Sequence, residues 1–161
     1  MKRTNYITWD EYFMGVASLS SKRSKDPNTQ VGACIVNNDK RIVGIGYNGL
    51  PHGIDDNTFS WDNNDSSDIL NSKYGYVVHA EANAILNSTA NLKGSTIYVT
   101  LFPCNECSKL IVQSGIKEIV YVSNKYSDTL GHKTSIKILD AAGIKYRQME
   151  FGVLNYDKVS K

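Results

Sequence analysis

Residues 98–107 read YVTLFPCNEC. A run of β-branched and aromatic side chains gives way at Pro103 to two cysteines three positions apart. GSTIYVTL (94–101) has the pattern of a buried strand. Pro103 suits the first turn of a helix that Leu110, Ile111 and Val112 carry on and Gly115 stops. The stretch is therefore a strand that delivers its chain directly into a helix, the repeating step of an α/β domain. Cys104 and Cys107, at i and i+3, fall on one face of that helix. At a helix start the free backbone N–H groups and the positive end of the macrodipole stabilise thiolates, the form that binds metal.

The same alternation extends in both directions. IKEIVYVS (116–123) reads as another strand, 134–142 as a helix closed by Gly143, and IKYRQM (144–149) as a last strand. Upstream, 79–87 is rich in the helix formers Ala80, Ala82, Ala84, Ile85 and Leu86. Residues 49–75 are irregular and rich in Asn, Asp, Ser and Gly, and a loop that long inside a domain is more often functional than idle. VGACIVN (31–37) and RIVGIGYN (41–48) flank Asn38-Asp39-Lys40 as a β-hairpin. Thr8 and Glu11 have the spacing of a capping box ahead of a first helix over 9–23. An opening hairpin followed by alternating strands and helices predicts one three-layer α/β domain over 1–161 with a mixed sheet. Residues from about 150 to 161 are weakly patterned and read as a C-terminal tail.

The totals agree with one domain: 161 residues, 41% apolar and 21% charged. The net charge of +2 (18 basic minus 16 acidic) is too small to argue for a nucleic acid or an anionic membrane as partner. No apolar run approaches the roughly 20 residues that span a bilayer, and the N-terminus lacks the apolar core of a secretory signal. Three cysteines do not make a disulfide framework. A reducing, cytoplasmic compartment is the expectation.

Two thiolates from one helical turn cover two corners of a tetrahedral Zn²⁺. His79, at the start of another helix, is the best-placed third ligand by chain order. Three protein ligands leave a position open, which marks a catalytic rather than a structural zinc. Glu81 would then stand beside the metal without ligating it, where a general acid/base for water belongs. A lone histidine near a helix start is more often structural, and a Cys-x-x-Cys pair can serve redox chemistry. Cys34, within Val31, Ala33, Ile35 and Val36, reads as core, and His52 and His132 read as isolated loop histidines. The conjunction of His-Ala-Glu with Pro-Cys-x-x-Cys is the known signature of zinc-dependent nucleobase deaminases.

HAEANAI (79–85), LFPCNECSKLIVQSGIKEIVYVS (101–123), WDEYFMGVASLSSKRSKDPNTQVGACIV and IVGIGYNGLPHG together resemble the deoxycytidylate (dCMP) deaminases, over about residues 9–147. The resemblance implies a three-layer α/β/α cytidine deaminase-like fold with a five-stranded mixed sheet and one catalytic zinc per subunit. It implies conversion of dCMP to dUMP and ammonia, feeding thymidylate synthesis. It also implies a homohexamer activated by dCTP with Mg²⁺ and inhibited by dTTP. A bifunctional dCMP/dCTP deaminase, or another zinc nucleoside or nucleobase deaminase, is the alternative.

By the same resemblance, Asn48 contacts the sugar hydroxyl and the Ala80 N–H meets the base carbonyl. Arg23, Lys125 and Tyr126 contact the phosphate. Without it, Asn48 is a turn residue, Arg23 a cation favourable to a helix C-terminus, and Lys125 and Tyr126 exposed loop residues. Ala82 stands where many relatives carry Leu. Some phage relatives hold a second, structural zinc, but residues 49–75 contain no Cys, so a single zinc is expected here. The GYNGLPHG loop is the candidate for binding the regulator.

Overall fold

The expected alternation takes the form of a five-stranded sheet between helices, in a computed structural model that describes residues 1–152. Residues 153–161, most of the expected tail, lie outside the described residues. In chain order the elements are α1 (Trp9–Ser21), β1 (Gly32–Val36), β2 (Ile42–Tyr47), α2 (Ala80–Leu86), β3 (Thr96–Leu101), α3 (Asn105–Gln113), β4 (Glu118–Ser123), α4 (Leu130–Ala141) and β5 (Lys145–Gln148). The sheet order is β2-β1-β3-β4-β5. β1 pairs antiparallel with both β2 and β3, whereas β3–β4 and β4–β5 are parallel. The two parallel pairs are those joined through helices, α3 and α4, as parallel crossovers require.

Alternate residues of the strands serve opposite faces. Ala33, Ile35, Ile97, Val99, Ile119 and Tyr121 pack under Ala80 and Ala84 of α2, Ile111 of α3 and Leu139 of α4. Cys34, Val36, Tyr98 and Val120 meet Phe13, Met14 and Ala17 of α1 on the other face. Three layers result, as expected. At two points a helix backbone lies directly against the sheet with no side chain between. A Cβ on Gly32 would overlap the Ala17 carbonyl of α1, and one on Gly46 would overlap the backbone of Ala80 and Ala84 in α2.

α1 carries the expected capping box: the Glu11 N–H donates to Thr8 Oγ1 (3.2 Å), and the Thr8 N–H to Glu11 Oε2 (2.7 Å). Thr8→Ala is expected to cost about 1 kcal/mol and to lower Tm by about 2–4 °C in a thermal melt. The helix ends at Ser21, short of the expected Arg23, where Ser20 and Ser21 turn their hydroxyls back onto the carbonyls of Val16 and Ser18. Such bonds compete with continuation of the helix.

α4 starts at Leu130, a turn earlier than the pattern of 134–142 indicates, because Thr129 caps it by accepting the His132 N–H (3.2 Å). His132 is therefore a helical residue and not the isolated loop histidine expected. The long segment after β2 is irregular but tied down. Trp61 Nε1 donates to the Asp56 carbonyl (2.9 Å), Phe59 stacks on Tyr76 with ring centroids 3.9 Å apart, and a 3-10 turn forms at Lys73–Gly75. Among the described residues no helix is long and apolar enough to cross a membrane.

Candidate metal centre and active site

A cavity of about 320 Å³ opens beyond the carboxyl ends of β3 and β4, where α2 and α3 begin. Crevices outside strand carboxyl ends are the usual ligand sites of open α/β sheets. His79 is the N-cap of α2, and its side chain makes no capping bond, so the ring is available to turn toward α3. Cys104 is the N-cap of α3, its Sγ accepting the Cys107 N–H at 3.5 Å. Pro103 thus precedes the cap instead of occupying the first helical turn. The physical reason for two cysteines at this spacing is unchanged: cap and third residue converge on one point.

His79 Nδ1 lies 3.4 Å from the Sγ of Cys104 and 3.4 Å from that of Cys107. The three ligand atoms lie within 4.8 Å of one another, and they are the only such group of three among the described residues. A tetrahedral zinc with ordinary bond lengths needs N–S edges of about 3.5 Å, so the donor set and its spacing fit Zn²⁺. Cys34 is in the α1-side core, where burial pushes its thiol up to about 12.

The two thiols titrate as a pair. The hydrogen bond from Cys107, then the one from His79, brings Cys104 down to about 4 against the opposing effect of burial. Cys107 is pushed well above the usual thiol range by that shared bond and by burial. The bond to Cys104 raises His79 to about 9. Glu81 is only 4% exposed and lines the cavity without joining the ligand group. Burial raises its pKa, and the charge of His79 opposes the rise.

The metal turn is braced from below. Ser135 on α4 donates to the Pro103 carbonyl (2.9 Å), and its oxygen accepts from Ser108 on α3; both serines are fully buried. Ser135 thereby ties α4 to the turn that presents Cys104.

Ala80, Asn48 and Tyr126 line the cavity. The Ala80 N–H is the first of α2 and so has no partner within the helix. Asn48 is buried and largely engaged: Oδ1 accepts the Val31 N–H (2.8 Å), and Nδ2 donates to the Thr29 carbonyl (2.9 Å) and Asp26 Oδ2 (3.4 Å). Only an acceptor lone pair on Oδ1 is left for a sugar hydroxyl. Lys125 is exposed at the rim, with Nζ 3.4 Å from Thr29 Oγ1 and 4.9 Å from the centroid of the Tyr126 ring. Burial raises the Tyr126 phenol, but bonds with Thr29 and Lys125 bring it below its ordinary value. Arg23 is exposed and outside the cavity wall.

Sequence reasoning missed Asp26, Lys73, Asn124 and His132, all in the wall. Asp26 in SKDPN reads as a turn residue, and Lys73 has no periodic context. Only the path of the loop shows that it is buried. Asn124 Oδ1 is a buried acceptor without a hydrogen-bond partner. His132 packs on Phe102, ring centroids 4.5 Å apart.

Residues 7–123 match the cytidine and deoxycytidylate deaminase zinc-binding region. The chain is 51% identical to the human deoxycytidylate deaminase over 148 residues, covering 91% of this chain and 83% of that protein. It is 53% identical to a probable deoxycytidylate deaminase of Drosophila melanogaster over 152 residues, covering 91% and 75% respectively. Among solved structures it resembles the dCMP deaminase of cyanophage S-TIM5 in complex with dCMP and dUMP, with 30% identity, a TM-score of 0.71, and coverage of 89% of this chain and 100% of that one. With that match running through His79, Glu81, Cys104 and Cys107, the chain belongs to the cytidine and deoxycytidylate deaminase family.

Proposed function

We propose that this chain, acting as a single deaminase domain, hydrolyses dCMP to dUMP and ammonia and so supplies dUMP for thymidylate synthesis. The observation that carries the reading is the His79–Cys104–Cys107 trio with the buried carboxyl of Glu81 on the same cavity. Likeness to deoxycytidylate deaminases over most of the chain supports the substrate.

His79, Cys104 and Cys107 would hold one Zn²⁺. Bound there, zinc supplies Lewis acidity that lowers the pKa of water from about 16 to about 7. Glu81 does the proton work. Its carboxylate takes one proton of the attacking water and passes it to the ring nitrogen. It then takes the second from the hydroxyl now on the ring carbon and gives it to the amine, so that the C–N bond breaks and ammonia leaves. The raised pKa of a buried carboxyl makes it a ready carrier for both transfers. The Ala80 N–H, without a helical partner, donates to the base carbonyl. Asn48 Oδ1 accepts from the sugar hydroxyl. Phe102 and Leu101 contribute apolar wall against which a pyrimidine can lie.

The test is to measure zinc per chain and to follow loss of the cytosine absorbance with dCMP, deoxycytidine and dCTP in parallel. One zinc and turnover of dCMP is the expected result. Turnover of deoxycytidine but not dCMP would retain the chemistry and reject the substrate, and zinc without any turnover would reject the enzyme reading. On the resemblance alone, we also propose a homohexamer that dCTP with Mg²⁺ activates and dTTP inhibits. The same assay with each nucleotide added checks the regulation.

A further inference from the structure

An ion pair in the cavity wall is not used by the deamination chemistry. Lys73 Nζ lies 2.6 Å from Asp26 Oδ2, with side chains only 9% and 2% exposed. A buried pair returns little or no net stability, because desolvation offsets the attraction. Its two halves differ in how well they are satisfied. Asp26 is saturated: Oδ1 accepts the N–H groups of Asn28 (2.8 Å) and Thr29 (3.1 Å), and Oδ2 accepts from Lys73 and from Asn48 Nδ2 (3.4 Å). Lys73 is not. Asp26 is its only hydrogen-bond acceptor among the described residues, and the ammonium otherwise faces the ring of Tyr74, 5.8 Å from the centroid. An ammonium carries three N–H donors, so two are without an acceptor. Among the described residues no other Lys or Arg lines this cavity.

We infer that Lys73 is the specificity-determining residue for the 5′-phosphate of a nucleoside monophosphate, donating its two spare N–H groups to phosphate oxygens while Asp26 holds the ammonium in place. The inference rests on the nucleotide reading above and relocates its phosphate contact. Arg23 is outside the wall, and Lys125 is an exposed rim residue whose charge is screened by solvent. The same charge–charge contact is several-fold stronger at a buried site than in water. The charge of Asp26 is partly offset by the N–H dipoles of Asn28, Thr29 and Asn48 that donate to it. Thr29 and Tyr126, beside the pair in the same wall, offer further hydroxyls to the same group.

The experiment compares nucleotide with nucleoside. In the wild type, kcat/KM for dCMP should exceed that for deoxycytidine, and dUMP should bind more tightly than deoxyuridine by calorimetry. Lys73→Met should cut kcat/KM for dCMP by about 10- to 100-fold, the value of a charge-assisted hydrogen bond, and should weaken dUMP by a similar factor. Deoxycytidine turnover and deoxyuridine affinity should change little. Because Lys73→Met strands Asp26, the double variant Asp26→Asn/Lys73→Met is measured too, and it should lose the same discrimination. Lys73→Arg, which restores the charge, should recover part of it. Equal loss for nucleotide and nucleoside in both variants would make the pair merely structural and overturn the inference. So would undiminished preference for the nucleotide. A wild type with no preference for dCMP would instead overturn the nucleotide reading, and the inference with it.

Discussion

Glu81→Gln is expected to lower kcat for dCMP by about 10²–10⁴-fold, the range for loss of a positioned general acid/base, with one zinc still bound per chain. Three features make this substitution clean. Glu81 is outside the ligand group, so His79, Cys104 and Cys107 keep their arrangement. The amide has nearly the same shape, so the buried site on α2 is not emptied. Burial already disfavours the charged carboxyl, so a neutral isostere adds no uncompensated charge, and Tm should hold or rise. The two measurements are zinc by elemental analysis and kcat by absorbance. Full activity in the zinc-loaded variant would remove Glu81 from the chemistry. A redox role for the cysteines makes the opposite forecast, since it gives Glu81→Gln no effect.

Cys104→Ser is expected to weaken zinc by more than about 100-fold, beyond what loss of an outer-shell partner does, and to abolish turnover. Cys104 has two jobs, ligand and N-cap of α3, and serine keeps the second because it is among the best N-caps. Far-ultraviolet circular dichroism should therefore stay unchanged while metal and activity are lost. The pH dependence follows from the pair of thiols and the imidazole. With Cys104 held near 4, His79 raised to about 9 and Cys107 higher still, chelator-stripped protein at pH 7 carries protons on His79 and Cys107. Uptake of Zn²⁺ should release about two protons, and affinity should rise about tenfold per displaced proton per pH unit. Calorimetry in buffers of different ionisation enthalpy reads that number directly. Unchanged zinc content in the variant would sink the ligand assignment.

The strands and the cysteine pair were legible in the sequence for the same reason, since both are encoded locally; His79, 25 residues before Cys104, was added by chain order and by its pairing with Glu81. Period-two alternation in 94–101 and 116–123, the capping box at Thr8 and Glu11, and a Cys-x-x-Cys behind a proline are patterns over a few residues. The start of α4 was not legible, because Gly131 interrupts the helical pattern and only the Thr129 cap reveals it. With α4 displaced, His132 was lost from the site. The Lys73–Asp26 pair was invisible for a different reason. Its partners are 47 residues apart, and they meet because the irregular loop folds back onto the segment that follows α1. Asn48 was found by resemblance, but its role as a clip between Val31 and Thr29 depends on backbone groups that no composition reports.

The close seating of α2 has a consequence for how such a site can vary. Its first turn bears His79 and Glu81, and its backbone touches that of β2 at Gly46. No compressible side chain lies between the helix and the strand, so nothing there can absorb an error. The gap between proton carrier and metal ligands is a mechanical tolerance, set by main-chain atoms that take part in no chemistry. Loops around the rim can drift and redirect the choice of nucleotide, while the reacting centre stays registered to the sheet like a tool clamped to its bed.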